Sequence, residues 1–160
     1  MKLEIMSHGE KDTFCIGKQI GSSLRGGEII LLDSDLGGGK TVLTKGIAEG
    51  IGSTDLVTSP TFTIQQIYTG KNLELYHYDL YRLNTLGIIE QEMQEFLGQP
   101  DVVVVVEWPG LAESVFPSKE VIHIKLDRQK SSETERLLTI EYPDSSKYAI
   151  DEDVLGDYPC

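Results

Sequence analysis

Eight consecutive residues, Ser34-Asp35-Leu36-Gly37-Gly38-Gly39-Lys40-Thr41, carry the strongest chemical signal in the chain. Adjacent glycines let the backbone curl so that successive N–H groups converge on one anion, and a helix starting near Lys40 would aim its positive end at the same point. Lys40 then supplies an ammonium for the β and γ phosphates of a nucleotide, and Thr41 a hydroxyl for Mg²⁺. Val42 carries the same run into the helix. The pattern G-x-x-x-x-G-K-[ST] asks for glycine where Ser34 stands. If that position requires positive φ, serine adds strain of roughly 1 kcal/mol. A glycine-rich turn that happens to precede Lys-Thr is the bland alternative, and the strand-like and helix-like flanks argue against it.

A nucleotide-bound metal also needs an acid at the end of a neighbouring buried strand. Glu107 fits, because it follows five consecutive valines, Val102 to Val106. Asp79 is a second candidate acid, suited to orienting a water or helping with the metal; its spacing equally fits a turn or cap carboxylate. Ser59-Pro60-Thr61 ends a polar loop, where the Thr61 hydroxyl could reach a γ phosphate, or where a plain Ser-Pro turn would serve. Trp108, next to Glu107, suits the rim of such a site or simply the core. Tyr76 and Tyr78 read as packing on one hairpin face, with Tyr81 just beyond. His8, His77 and His123 lack metal-ligand spacing and read as structural.

Holding these groups together requires strands and helices in alternation. The expected scaffold is α/β: a three-layer P-loop NTPase fold with a mixed, mainly parallel sheet and an antiparallel hairpin. Met1 to Ser7 reads as a strand, Ser7 to Glu10 as a helix-capping box, and Ile16, Ile20 and Leu24 as the inner stripe of a first helix that ends near Gly26. Glu28 to Asp33 reads as a buried strand feeding the glycine loop, and Leu43, Ile47 and Ile51 as the inner face of the helix after it. Thr61 to Tyr68 and Asn72 to Asp79 form the hairpin, turning at Thr69-Gly70-Lys71. Leu86 to Phe96 suits a helix, Val102 to Val106 a strand buried on both faces, and Val121 to Leu126 and Arg136 to Tyr142 late strands.

The 160 residues suit one domain, read as residues 1–142, followed by an acidic tail over 143–160 that is expected to be loosely docked. A net charge of −12 opposes charge-driven binding to nucleic acid, so any such role is indirect. No apolar run approaches the ~20 residues that cross a bilayer, and the N-terminus lacks the features of a signal peptide. Cys15 and Cys160 have no paired spacing and read as free thiols, which together with the N-terminus suggests the cytoplasm.

In order and spacing, residues 35–41, Ser59-Pro60-Thr61-Phe62, Tyr76-His77-Tyr78-Asp79-Leu80-Tyr81-Arg82-Leu83 and Glu107-Trp108-Pro109 resemble the bacterial TsaE family. The resemblance spans roughly Ile29 to Ile124. The family usually reads Gly-Asp-Leu-Gly-Ala-Gly-Lys-Thr, so Ser34 and Gly38 depart from it. The resemblance implies a Mg²⁺-dependent ATPase, and the lack of an evident arginine finger in the sequence predicts slow turnover by the chain alone. It would act with the TsaB and TsaD proteins, which install threonylcarbamoyl on the tRNA adenosine next to the anticodon, and would touch tRNA only indirectly. It also implies that Lys40 binds the phosphates, that Thr41 and Glu107 hold Mg²⁺, and that Asp79 assists hydrolysis. Thr61 would belong to a switch-like loop and Trp108 to the rim, with Arg136 and Glu10 on the adenine side. A monomer is expected for the chain alone. The rival reading is a small-molecule P-loop kinase with Arg128 to Arg136 as its lid. A non-catalytic nucleotide-binding module is a third, and the absence of an Asn-Lys-x-Asp motif disfavours a GTPase.

Overall fold

The computed structural model describes residues 1–116, 121–143 and 155. In chain order the elements are β1 (Lys2–Ser7), α1 (Glu10–Ser23), β2 (Ile29–Ser34), α2 (Lys40–Gly50), β3 (Gln65–Thr69), β4 (Glu74–Asp79), α3 (Ile88–Phe96), β5 (Val102–Glu107), a 3₁₀ turn (Pro109–Leu111), β6 (Val121–Arg128) and β7 (Arg136–Glu141). The seven strands form one sheet in the order β1-β7-β6-β2-β5-β4-β3. Its centre, β6-β2-β5-β4, is parallel. The outer pairings, β1 with β7, β7 with β6 and β3 with β4, are antiparallel.

The parallel centre needs both faces covered, because its strands are apolar on both sides. On one face Leu43 and Ile47 of α2 and Ile16 and Ile20 of α1 pack over Ile30, Leu32, Val103, Val105, Ile122 and Ile124. On the other, Met93 of α3 with Ala112 and Phe116 packs over Ile29, Leu31, Val104, Val106 and Tyr78. The result is the expected three layers. The two helices on the first face approach closely: Gly17 and Gly21 of α1 meet Gly46 and Gly50 of α2, and a methyl on any of them would collide with a backbone oxygen of the facing helix.

Several local expectations change. Ser7 does not cap α1, because it ends β1 opposite Arg136 and its hydroxyl is spent on Gly9 O and Thr13 Oγ1. The N-cap is Gly9, and it is Asp12 that reaches back to accept from His8 N. Thr61 to Thr63 form a turn rather than strand, closed by Ile64 N donating to Pro60 O, with Ile64 at φ 67°. The hairpin turns one step later than Thr69, with Gly70 N donating to Leu73 O. Cys15 is disulfide-bonded rather than a free thiol, since distance along the chain says nothing about proximity in space. Cys160, and most of the tail at 143–160, lie outside the described residues; Leu155 is buried in the α1/α2-side core. Among the described residues no helix is long and apolar enough to cross a membrane.

Strand register gathers the chemistry at one edge. Leu32 of β2 and Asp79 of β4 both lie opposite Glu107 of β5, so the glycine loop and two carboxylates emerge at the C-terminal ends of adjacent parallel strands. Open α/β sheets bind their ligands at that edge.

Candidate nucleotide-binding site

The loop from Ser34 to Lys40 turns β2 into α2. Gly37 and Gly39 adopt φ of 69° and 105°, a region that side-chain-bearing residues rarely enter, and Gly39 serves as the N-cap. Helical geometry leaves the first-turn amides of α2 without intrahelical acceptors, and Lys40, Thr41 and Val42 of that turn line the cleft. Ser34, the last residue of β2, pairs with Leu126 and does not have positive φ, so the strain considered for serine does not arise.

A cleft of about 480 Å³ opens over this loop. It is lined by Leu36, Gly37, Gly38, Gly39, Lys40, Thr41 and Val42, by Thr61, Asp79, Glu107 and Trp108, and by Glu10. Ser59, Tyr81 and Arg82 complete the wall. Two sequence candidates sit elsewhere. Asp35 offers its backbone carbonyl to Gly38 N, Ser34 Oγ and Lys40 Nζ, and does not line the cleft. Arg136 stands behind the loop, its Nε donating to Gly38 O and its Nη1 to Glu133 O and Glu135 O.

Lys40 is only 6% exposed. Its ammonium donates to Ser34 Oγ at 2.7 Å, Ser34 O at 3.2 Å and Asp35 O at 3.3 Å, and lies 3.9 Å from the centre of the Trp108 ring. Burial pushes the Lys40 pKa below its usual value, while the carboxylates of Glu107 and Asp79 oppose the shift. Trp108 reaches this position through a left-handed backbone, φ 58°, immediately after β5, and its outer face meets Tyr81 at 4.9 Å. A strained non-glycine residue beside a charged side chain marks a position that the surrounding structure holds in place.

Each acid is fixed by partners of its own. Asp79, 4% exposed, accepts from Thr61 Oγ1 at 2.7 Å, from Ser59 Oγ at 3.3 Å and from Tyr81 N at 3.0 Å. Glu107, 3% exposed, pairs with the fully buried His77 at 2.8 Å. His77 in turn meets the Tyr68 hydroxyl at 3.3 Å, and Tyr68 donates to Thr58 O at 3.1 Å. The polar loop before β3 is therefore tied to both carboxylates.

Sequence reasoning missed two contributors. His77 read as an isolated structural residue, yet it orients Glu107; the available signal was its place two residues before Asp79 on the same strand face. Arg128 had a role only in the rival kinase reading, as part of its lid, yet its Nη2 donates to Leu36 O and Gly37 O at 3.0 and 3.1 Å, bracing the loop from β6. No local pattern joins residues 91 positions apart.

The donor set suits magnesium with a triphosphate. It offers a first-turn hydroxyl at Thr41 and carboxylates at Glu107 and Asp79, all oxygen and all on one cleft. Among the described residues no group of three or more His, Cys, Asp or Glu could by itself hold a metal.

A glycine loop between a buried strand and a helix, at the C-terminal edge of a parallel sheet and with an acid on the adjacent strand, defines a protein of the P-loop NTPase fold. A family model described as threonylcarbamoyl adenosine biosynthesis protein TsaE matches residues 7–152, and the chain belongs to the TsaE family. The tRNA threonylcarbamoyladenosine biosynthesis protein TsaE of Bacillus subtilis (strain 168) is 40% identical over 133 residues, 81% of this chain and 80% of that protein. The protein of the same name from Streptomyces coelicolor is 37% identical over 117 residues, covering 71% and 77%. The crystal structure of Bacillus subtilis YdiB matches with a TM-score of 0.76 at 33% identity, covering 98% of this chain and 95% of that one.

Proposed function

We propose that the chain is a Mg²⁺-dependent ATPase of tRNA threonylcarbamoyladenosine biosynthesis, working in the cytoplasm, where ATP and tRNA are both found, together with TsaB and TsaD. The observation that carries this reading is the convergence of Lys40, Thr41, Asp79 and Glu107 on one cleft over a glycine loop, in a chain whose relatives bear that biosynthetic name.

In this reading the loop amides and Lys40 hold the β and γ phosphates. Thr41 and Glu107 hold Mg²⁺, which when bound offsets charge on the phosphoryl oxygens. Asp79 directs a water in line with the γ phosphate, and Thr61, already bonded to Asp79, carries the state of its loop to that acid. Trp108 shields the ammonium from solvent, which strengthens its pull on phosphate. Arg82 lines the cleft wall and stacks over the exposed ring of Phe62 at 4.5 Å. In this reading turnover by the chain alone is slow, and TsaB and TsaD complete the site. The kinase reading loses support because Arg128 and Arg136, its lid arginines, are bonded to loop carbonyls.

Functional replacement tests the proposal. Wild type should restore the modified adenosine in cells lacking their own copy, and Lys40→Ala should not. Rescue by both forms, or by neither while the proteins accumulate normally, contradicts it. Phosphate release should also rise when TsaB and TsaD are added, and a rate that stays flat removes the partner claim.

A further inference from the structure

The loop departs from its general pattern at Ser34, and the structure links that departure to a second position. A Cβ built on Gly38 would collide with Ser34 Oγ, lie 2.6 Å from Ser34 Cβ and lie 2.8 Å from Asp35 O. Gly38 is buried and does not have positive φ, so it is the space around it, not its own backbone, that excludes a side chain. Most of that space is taken by Ser34, itself buried. The hydroxyl that fills the hollow is also fully engaged: it accepts from Lys40 Nζ at 2.7 Å, the shortest of that ammonium's three hydrogen bonds, and donates to Asp35 O at 2.9 Å.

We infer that Ser34 and Gly38 form one unit that sets nucleotide affinity: the Ser34 hydroxyl occupies the hollow that Gly38 leaves open and competes with incoming phosphate for the Lys40 ammonium. The inference rests on the P-loop reading above and adds to it a positioning residue acting through Lys40. The ammonium has three N–H donors, and three oxygens, Ser34 Oγ, Ser34 O and Asp35 O, accept from it. To reach the β and γ phosphates, Lys40 must surrender bonds, and the one to the Ser34 hydroxyl, which neither glycine nor alanine at 34 could supply, is an added cost. Ligands without a β phosphate do not call on Lys40 and do not meet this competition.

Two independent readouts test the unit. The first is the steric coupling, read without nucleotide as the melting temperature of Gly38→Ala in three backgrounds. Overpacking a filled site lowers it by roughly 3–8 °C with Ser34 present. The loss should shrink with Ser34→Ala, which removes the hydroxyl, and shrink further with Ser34→Gly, which also removes Cβ. Equal losses in all three backgrounds overturn the coupling. The second is affinity by calorimetry for ATP, ADP and AMP. Ser34→Ala should tighten ATP and ADP by about three- to tenfold and leave AMP unchanged. Unchanged ATP affinity, or an equal gain for AMP, overturns the competition. Lys40→Ala separates the two levels: if it binds ATP as well as wild type, the P-loop reading itself fails, whereas the melting series still judges the steric pair.

Discussion

Glu107 owes its position to a neighbour that the sequence does not advertise. Its carboxylate is buried at the end of β5, and the contact with His77 Nε2 fixes its rotamer. Buried carboxylates without such a partner carry a large desolvation cost. If Glu107 holds Mg²⁺ as proposed, removing the imidazole should therefore weaken metal binding more than nucleotide binding. His77→Ala is expected to raise the Mg²⁺ concentration needed for half-maximal ATP binding by roughly tenfold or more. Affinity for nucleotide in the absence of Mg²⁺ should change little. A magnesium titration followed by calorimetry checks this, and an unaltered Mg²⁺ requirement in a folded variant removes His77 from the site. The residues whose chemistry is local were legible from the chain: Lys40, Thr41 and the glycines declare themselves by spacing. Glu107 could be read because five valines announce a buried strand that must end somewhere useful. His77, Arg128 and the loop-bracing role of Arg136 were not legible, because each acts on a group far away in sequence and near only after the sheet forms.

Elements show the same division. Apolar runs and helical stripes located β2, α2 and β5 closely, since burial on one or two faces leaves a period in the sequence, whereas the first hairpin strand begins at Gln65 rather than Thr61. Turns and caps were less legible: Ser7 had the spacing of a cap but was already committed to β1, so strand pairing won over local helix chemistry. The α1–α2 interface is readable only in space. Gly46→Ala should raise intrinsic helix propensity, yet its methyl would strike Phe14 O of α1. The collision dominates, with an expected cost of about 1–3 kcal/mol in urea unfolding; a variant as stable as wild type would mean that the helices separate without penalty. Strand β4 makes a pH prediction. Burial pushes the Tyr78 phenol up to about 12, and Tyr68 and Tyr76 shift the same way. Above pH 10 the unfolded chain gives up a proton that the folded chain keeps, so stability is complete below about 10 and falls as pH climbs toward 12. Tyr78→Phe should flatten that fall in alkaline denaturation. An equally steep loss in the variant contradicts the assignment.

For the whole molecule, the decisive facts are the charge and the edge of the sheet on which the site sits. A net charge of −12 repels phosphate backbones, whereas in the proposed reading the loop would hold phosphate through its amides and one sheltered ammonium, so that local geometry would override the global field. The chain alone should therefore retain no tRNA in filter binding at physiological salt, while still binding ATP. Submicromolar tRNA retention would require a basic surface that this composition argues against. The sole tryptophan, Trp108, lies against Lys40 and so reports on the ammonium directly. ATP titration with Mg²⁺, followed by Trp108 fluorescence in wild type and Lys40→Ala, is the most direct test of the central claim. The account predicts saturable quenching or enhancement in the wild type and affinity at least about tenfold weaker in the variant. Equal binding by both proteins, or no binding by a folded wild type, would contradict it.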